Sequence, residues 1–343
     1  MKEYYGTTKG GVEISKYTLT NSKGSKAVVL DYGAILDQLW IADSKGNLDD
    51  VVLSCPDADS YVENPCSFGS TIGPSANRIA DAKFTIDGVE YKLDKNDGEN
   101  NLHSSFPKGL NKRIWKAVEK DNSVEFSIEM EDGDLGFPGN KKFTVTYTLT
   151  DDNELRIDYF GKSDKNTIIN LTNHSYFNLG GHKSGDICKH VVKLESTEFT
   201  KIRAGAIPTG EIVSVLGTEL DFSEGKEVGK DIEKDNDQMK LVNGYDFNYV
   251  ISGYDGSLRL CSTATDPVSG RKMEVYTDLP GFHFYTGNWI NNAPGKEGMT
   301  YGLRAGMCFE TQYYPDTIHH DNFPSAVFGP DRDYKSTTVF KFL

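Results

Sequence analysis

Five short segments concentrate the groups that could move protons or hold a polar ligand. They are Asn77-Arg78-Ile79, Asn100-Asn101-Leu102-His103, the run Thr172 to Asn178 with His174 and Tyr176 inside it, Gly244 to Asn248 around Asp246, and Phe309-Glu310-Thr311-Gln312. In each, polar side chains sit among apolar ones. A buried polar group without a partner costs about 1–3 kcal/mol, so such residues are either paired or functional. Carboxylates and imidazoles are suited to general acid–base work. The aromatic neighbours suit the apolar faces of a sugar ring. Loops and strand ends carrying these segments would converge on one concave polar site. Taken singly, each residue also has a structural reading: Glu310 in an ion pair, His174 hydrogen-bonded to backbone, Arg78 at a sheet edge, Asp246 in a turn, His103 capping a loop. Two acids, Asp246 and Glu310, would also serve a glycoside hydrolase.

Other chemistry finds less support. His319-His320 are adjacent, so in a strand they would face opposite ways, and an exposed loop is the simpler reading. His174, His182 and His190 recur every eight residues, which fits no metal-ligand spacing. The five cysteines (Cys55, Cys66, Cys188, Cys261, Cys308) contain no Cys-x-x-Cys pair. They read as scattered thiols of a reducing compartment, not as a disulfide framework or a zinc knot. No Gly-x-Gly-x-x-Gly, phosphate loop or Gly-x-Ser-x-Gly elbow occurs, which argues against a nucleotide cofactor. Neither metal nor cofactor is expected. The 37 Lys and Arg against 51 Asp and Glu give a net charge of −14, which argues against nucleic acid. No apolar run approaches the roughly 18 residues of a spanning helix. The opening MKEYYGTTKGGVEI has no apolar stretch of the signal-peptide kind, so a cytoplasmic location is expected.

The elements that must position these residues are strands. FTVTYTLT, Phe143 to Thr150, alternates apolar and polar residues, breaks at Asp151-Asp152-Asn153 and resumes at Leu155. That is a hairpin with one buried face. AKFTIDGVEYKL is a second hairpin, with Asp87-Gly88 as its tight turn. A third runs from Trp115 to Met130 and turns at Asp121-Asn122. Trp115 itself reads as core. The 34 glycines fit a chain full of turns. Only the stretch 223–240 offers a helical turn or two. The 18 Tyr and 18 Phe supply large apolar bodies for a core. No linker, repeat or low-complexity tract divides the chain. A single all-β sandwich domain spanning residues 1–343 is expected.

Seven segments in order resemble the aldose 1-epimerases, the galactose mutarotase family. They are NRIADAKFTIDGVEYKLDKNDGENNLHSS, LGFPGNKKFTVTYTLTDDNELRIDY, NLTNHSYFNLGG, the stretch Ile207 to Phe222, GYDFNYV, FYTGN and FETQYYPDTIHHDNFPS. They run from about Phe68 to the C-terminus. The resemblance implies that family's large, mostly antiparallel β-sandwich and the interconversion of α and β anomers of free hexoses such as galactose and glucose. It implies Glu310 as general base and His174 as general acid, with Asn77, Arg78, His103, Tyr176, Asp246 and His283 against the sugar. A carboxylate and an imidazole on opposite sides of the ring would do this without metal or cofactor, each titrating not far from neutrality, with only modest desolvation of Glu310. The implied partner is a monosaccharide, bound by a monomer or homodimer. Three departures from the family pattern stand out. They are Ser104-Ser105 where glycines are common, Pro74 and Ser75 where bulkier residues are more familiar, and His283 where Gln is usual. The same superfamily includes hexose-phosphate epimerases, and a sugar-binding protein without catalysis could keep the same sandwich. The first would need clustered basic residues and the second would have lost His174 or Glu310.

Overall fold

The alternation of apolar and polar residues becomes three large sheets and several two-stranded ribbons. The structure, a computed structural model, describes residues 2–343. The largest sheet has nine strands in the spatial order Lys116–Lys120, Ser123–Met130, Lys141–Leu149, Glu154–Ser163, Tyr334–Phe342, Lys272–Thr277, Arg259–Thr265, Val191–Leu194 and Lys226–Glu227. Its neighbouring strands are all antiparallel. Leu149 pairs with Leu155 across the acidic turn, and Lys120 pairs with Ser123 across Asp121-Asn122, as the sequence predicts. In the ribbon Lys83–Ile86 and Val89–Lys92, Asp87 (φ 52°) and Gly88 (φ 77°) occupy the two turn positions. Positive φ at both is what a two-residue hairpin turn matched to strand twist requires.

A five-stranded sheet of Lys2–Thr7, Glu13–Thr20, Lys26–Leu30, Ile35–Ala42 and Leu48–Asp50 runs in chain order. The third sheet, also five-stranded, orders Ile207–Ser214, Glu198–Arg203, Asp246–Val250, Gly281–Tyr285 and Cys308–Gln312. The last three of these strands are buried along their whole length. Successive side chains of a strand face opposite ways. One face of this sheet therefore carries Phe247, Tyr249, Phe282, Phe284 and Phe309, all in the main hydrophobic core. Phe284 and Phe309 stack at 5.3 Å, and Tyr249 and Phe282 at 5.8 Å. Thr311, on the same face, meets Thr338 of the large sheet, Oγ1 to Oγ1 at 2.5 Å. Two sheets thus close over a shared aromatic core. The fold is the all-β, mostly antiparallel sandwich that the alternation implies.

Helix is minor: Ser60–Glu63 and Asp237–Lys240 are single turns, the second within the stretch that predicted one. Trp115 is buried and donates its indole N–H to the Leu110 carbonyl at 3.0 Å, a core residue. Among the described residues no helix is long and apolar enough to cross a membrane.

Candidate active site

The other face of the third sheet is polar. His283 sits directly opposite Glu310 on one neighbouring strand and Asn248 on the other, with Asp246 two residues beyond Asn248. The aromatic half of each strand is anchored in the core, and the same alternation turns Asp246, His283 and Glu310 to one side. His174 arrives from a different element, the short strand Thr172–His174 paired with Ser70–Ile72. Its neighbour Asn173 points the opposite way, donating to the Gly69 carbonyl (3.0 Å) and the Tyr147 hydroxyl (3.1 Å). Arg78 and His103 come from the ribbon in which Leu102 pairs with Arg78.

These elements enclose a cavity of about 510 Å³. Asn77, Arg78, His103, His174, Tyr176, Asp246, His283 and Glu310 all line it. His174 Nε2 lies 3.7 Å from Glu310 Oε1. The two groups are side by side because the strands Thr172–His174 and Cys308–Gln312 lie against each other. Glu310 is 2% exposed, and its Oε2 has no partner among the described residues. Burial, followed by the nearby Asp246 charge, pushes its carboxyl well above the usual range, with Arg78 opposing. Burial pushes His174 down to about 4. The desolvation is thus larger than the sequence reading allows for, since both groups lie beneath loops that no local pattern reveals. Asp246 goes the other way. Burial would raise it, but the His283 hydrogen bond (Nε2 to Oδ1, 2.5 Å) and the Arg78 charge hold it below the usual carboxylate value.

His103, His174 and Glu310 bring possible metal-ligand atoms within 4.8 Å of one another. The donor set does not suit a metal. A ligating imidazole ordinarily donates its second ring N–H to an acceptor, whereas His103 Nδ1 accepts the Asn77 backbone N–H at 3.1 Å.

Residues 15–341 match the family model described as aldose 1-epimerase. The chain belongs to the aldose 1-epimerase family. It is 39% identical over 334 residues to the galactose mutarotase of Bos taurus, covering 97% of this chain and 95% of that protein. It is 34% identical to the aldose 1-epimerase of Escherichia coli K12 over 95% of this chain and 94% of the relative. A solved aldose epimerase homologue from C. elegans superposes with a TM-score of 0.88 at 31% identity, over 96% of this chain and 98% of that one.

Within this aldose 1-epimerase fold, two of the three departures prove to be one feature. Ser104 Oγ accepts the Ser75 N–H (2.9 Å) and donates to the Ser75 carbonyl (3.1 Å), tying the two loops together beneath His103. The third, His283, bridges Asp246 and Asn77. Tyr176 lies against His174 at 5.0 Å between ring centres, but its hydroxyl donates to the Cys66 carbonyl at 2.9 Å. It presents a ring to the cavity, not a free hydroxyl. Arg78 is held by Asp97 (Nε to Oδ2, 2.8 Å). The other histidines lie elsewhere: His319 and His320 both face the Asp316 carboxylate, His182 meets the Tyr301 hydroxyl, and His190 accepts the Leu179 N–H. The sequence reading missed Phe106, Tyr285 and Trp289, which also line the cavity. Trp289 is 63% exposed. Its signal was a lone Trp in the polar run Gly287 to Asn292, where no strand alternation accounts for it.

Proposed function

We propose that this chain interconverts the α and β anomers of free aldohexoses such as galactose and glucose. Glu310 acts as general base on the C1 hydroxyl and His174 as general acid on the ring oxygen. One observation carries the reading: a carboxylate and an imidazole 3.7 Å apart on the floor of a cavity sized for a small ligand. The C1 hydroxyl and the ring oxygen are bonded to the same carbon, so neighbouring groups can reach both within hydrogen-bond distance. Glu310 takes the hydroxyl proton as the C1–O5 bond breaks, and His174 delivers a proton to O5. The open aldehyde turns about C1–C2 and recloses with the two roles exchanged. Each transfer contributes about 10²- to 10⁴-fold.

The pair shares one labile proton. Burial raises Glu310 and lowers His174, and both shifts favour the proton on Glu310 when no sugar is bound. Bound sugar hydroxyls that donate to the carboxylate favour its charged form and move the proton to His174, which arms both groups. Asp246, held anionic, accepts sugar hydroxyls, while Arg78 and His103 donate to them and His283 backs Asp246. Tyr176 and Trp289 offer faces to the apolar side of the ring. A phosphorylated hexose fits less well, since Arg78 is the only Lys or Arg among the described residues that line the cavity. The reading extends to a single domain over residues 1–343, a monomer or homodimer, working in the cytoplasm without metal or cofactor.

Polarimetry on freshly dissolved α-D-galactose and α-D-glucose tests it. Wild type should bring the rotation to its endpoint much faster than buffer, and the two sugars should differ in rate. A folded wild type that accelerates neither sugar would sink the proposal.

A further inference from the structure

We infer that Asn77 is a positioning residue that sets the proton tautomer of two cavity histidines, His103 and His283, leaving the proton of each on Nε2. The inference rests on the proposed sugar site but concerns how its donors and acceptors are arranged.

A backbone amide only donates. The Arg78 N–H points at Asn77 Oδ1 at 3.0 Å, so that end of the amide is the carbonyl. The other end, the NH₂, then faces His283 Nδ1 at 3.3 Å and donates to it. An Nδ1 that accepts leaves the proton of a neutral ring on Nε2. That nitrogen lies 2.5 Å from Asp246 Oδ1, where a donor is required. The opposite tautomer would set a lone pair against the carboxylate. The second histidine follows from the Asn77 backbone. Its N–H points at His103 Nδ1 at 3.1 Å, so His103 also carries its proton on Nε2. The His103 N–H returns to the Asn77 carbonyl at 3.0 Å, which holds the two residues in register.

One residue serves both rings because Asn77 is in the left-handed region (φ 57°), which Asn tolerates better than most residues. In that conformation the main chain addresses His103 while the side chain addresses His283. Asn77 and His283 are 4% and 5% exposed, so the bond between their side chains is shielded from bulk water. The consequence for recognition is directional. His103 can only donate to a sugar hydroxyl. Asp246 keeps one oxygen for the sugar because the other is occupied by His283. The same arrangement denies a metal the lone pair of His103 Nε2.

The test reads imidazole nitrogens directly. Full-length protein is labelled with 15N-histidine, and long-range 1H–15N spectra are recorded near neutral pH without sugar, with His103→Gln and His283→Gln assigning the signals. Wild type should show both rings neutral and protonated on Nε2. Asn77→Gly keeps the backbone N–H and accommodates the left-handed φ. There His103 should be unchanged, His283 should become a mixture of tautomers, and KM for galactose should rise roughly tenfold with a smaller change in kcat. Asn77→Asp replaces the donor with an acceptor, so His283 should carry protons on both nitrogens. An Nδ1 proton on either ring in wild type overturns the inference, as does a His283 spectrum unchanged in both variants. The spectra need no turnover, so they judge the inference even if polarimetry rejects the anomer reaction. If Asn77→Asp fails to fold, wild type and Asn77→Gly still decide it.

Discussion

At the scale of single residues, the proposed chemistry rests on two groups that burial pushes in opposite directions. Glu310→Gln keeps shape and hydrogen-bonding capacity but removes the proposed base, and His174→Ala removes the proposed acid. Each should lower the polarimetric kcat by about 10²- to 10⁴-fold while leaving the fold intact. The same shifts predict how stability follows pH. His174 is depressed to about 4 from its ordinary 6.5, so the unfolded chain binds a proton first as pH falls. Its contribution is complete above about 6.5 and is lost as pH falls towards 4. Relative to His174→Ala, wild type should lose on the order of 3 kcal/mol of unfolding free energy across that window, read by urea denaturation at a series of pH values. Glu310 has the opposite sign. Its raised carboxyl contributes stability that is fully present below the ordinary value of 4.5 and lost as pH rises. Glu310→Gln should therefore melt higher than wild type at pH 8, and the gap should close towards pH 4. A variant that melts lower at pH 8 would contradict the buried, unpartnered carboxylate.

At the scale of elements, the site sheet is a two-sided device whose aromatic face anchors what its polar face presents. Phe309 lies between Cys308 and Glu310, fully in the core and stacked on Phe284. Phe309→Ala should cost about 3–5 kcal/mol of stability in urea unfolding, through lost burial and the cavity left behind. Activity should fall as well, because Glu310 rides on that strand. A turn that does not line the cavity behaves differently. Gly88 adopts φ 77° with open space around its would-be Cβ, so Gly88→Ala should cost only the left-handed strain, about 1 kcal/mol, and leave kcat unchanged. The hairpins were legible because period-two alternation and turn dipeptides are local. The pairing of Ser75 with Ser104 was not. In the sequence they are two unrelated departures, and only loop packing makes them one contact.

At the scale of the whole molecule, the sandwich brings residues from 77 to 310 around one cavity, so ligand binding and global stability are linked. Galactose at about 100 times its Kd should raise the unfolding free energy by about 2.7 kcal/mol, seen as one calorimetric transition moving to higher temperature. Two separable transitions would contradict a single domain. The net charge of −14 should leave the protein unretained on an immobilised polyanion. Much of this molecule was decided locally. Alternating Phe, Val, Tyr and Thr dictate strands, Asp87-Gly88 dictates a tight turn, and the run around Glu310 marks an acid with aromatic company. What no local pattern contains is the distance between residues far apart in the chain. That His174 comes within 3.7 Å of Glu310, that Tyr176 gives its hydroxyl to Cys66, and that Asn77 addresses His103 with its backbone and His283 with its side chain are results of sheet register and loop closure. Burial follows from the same closure, and with it the opposed shifts of His174 and Glu310. Desolvation is a property of everything packed around a group, so only the tertiary structure decides it.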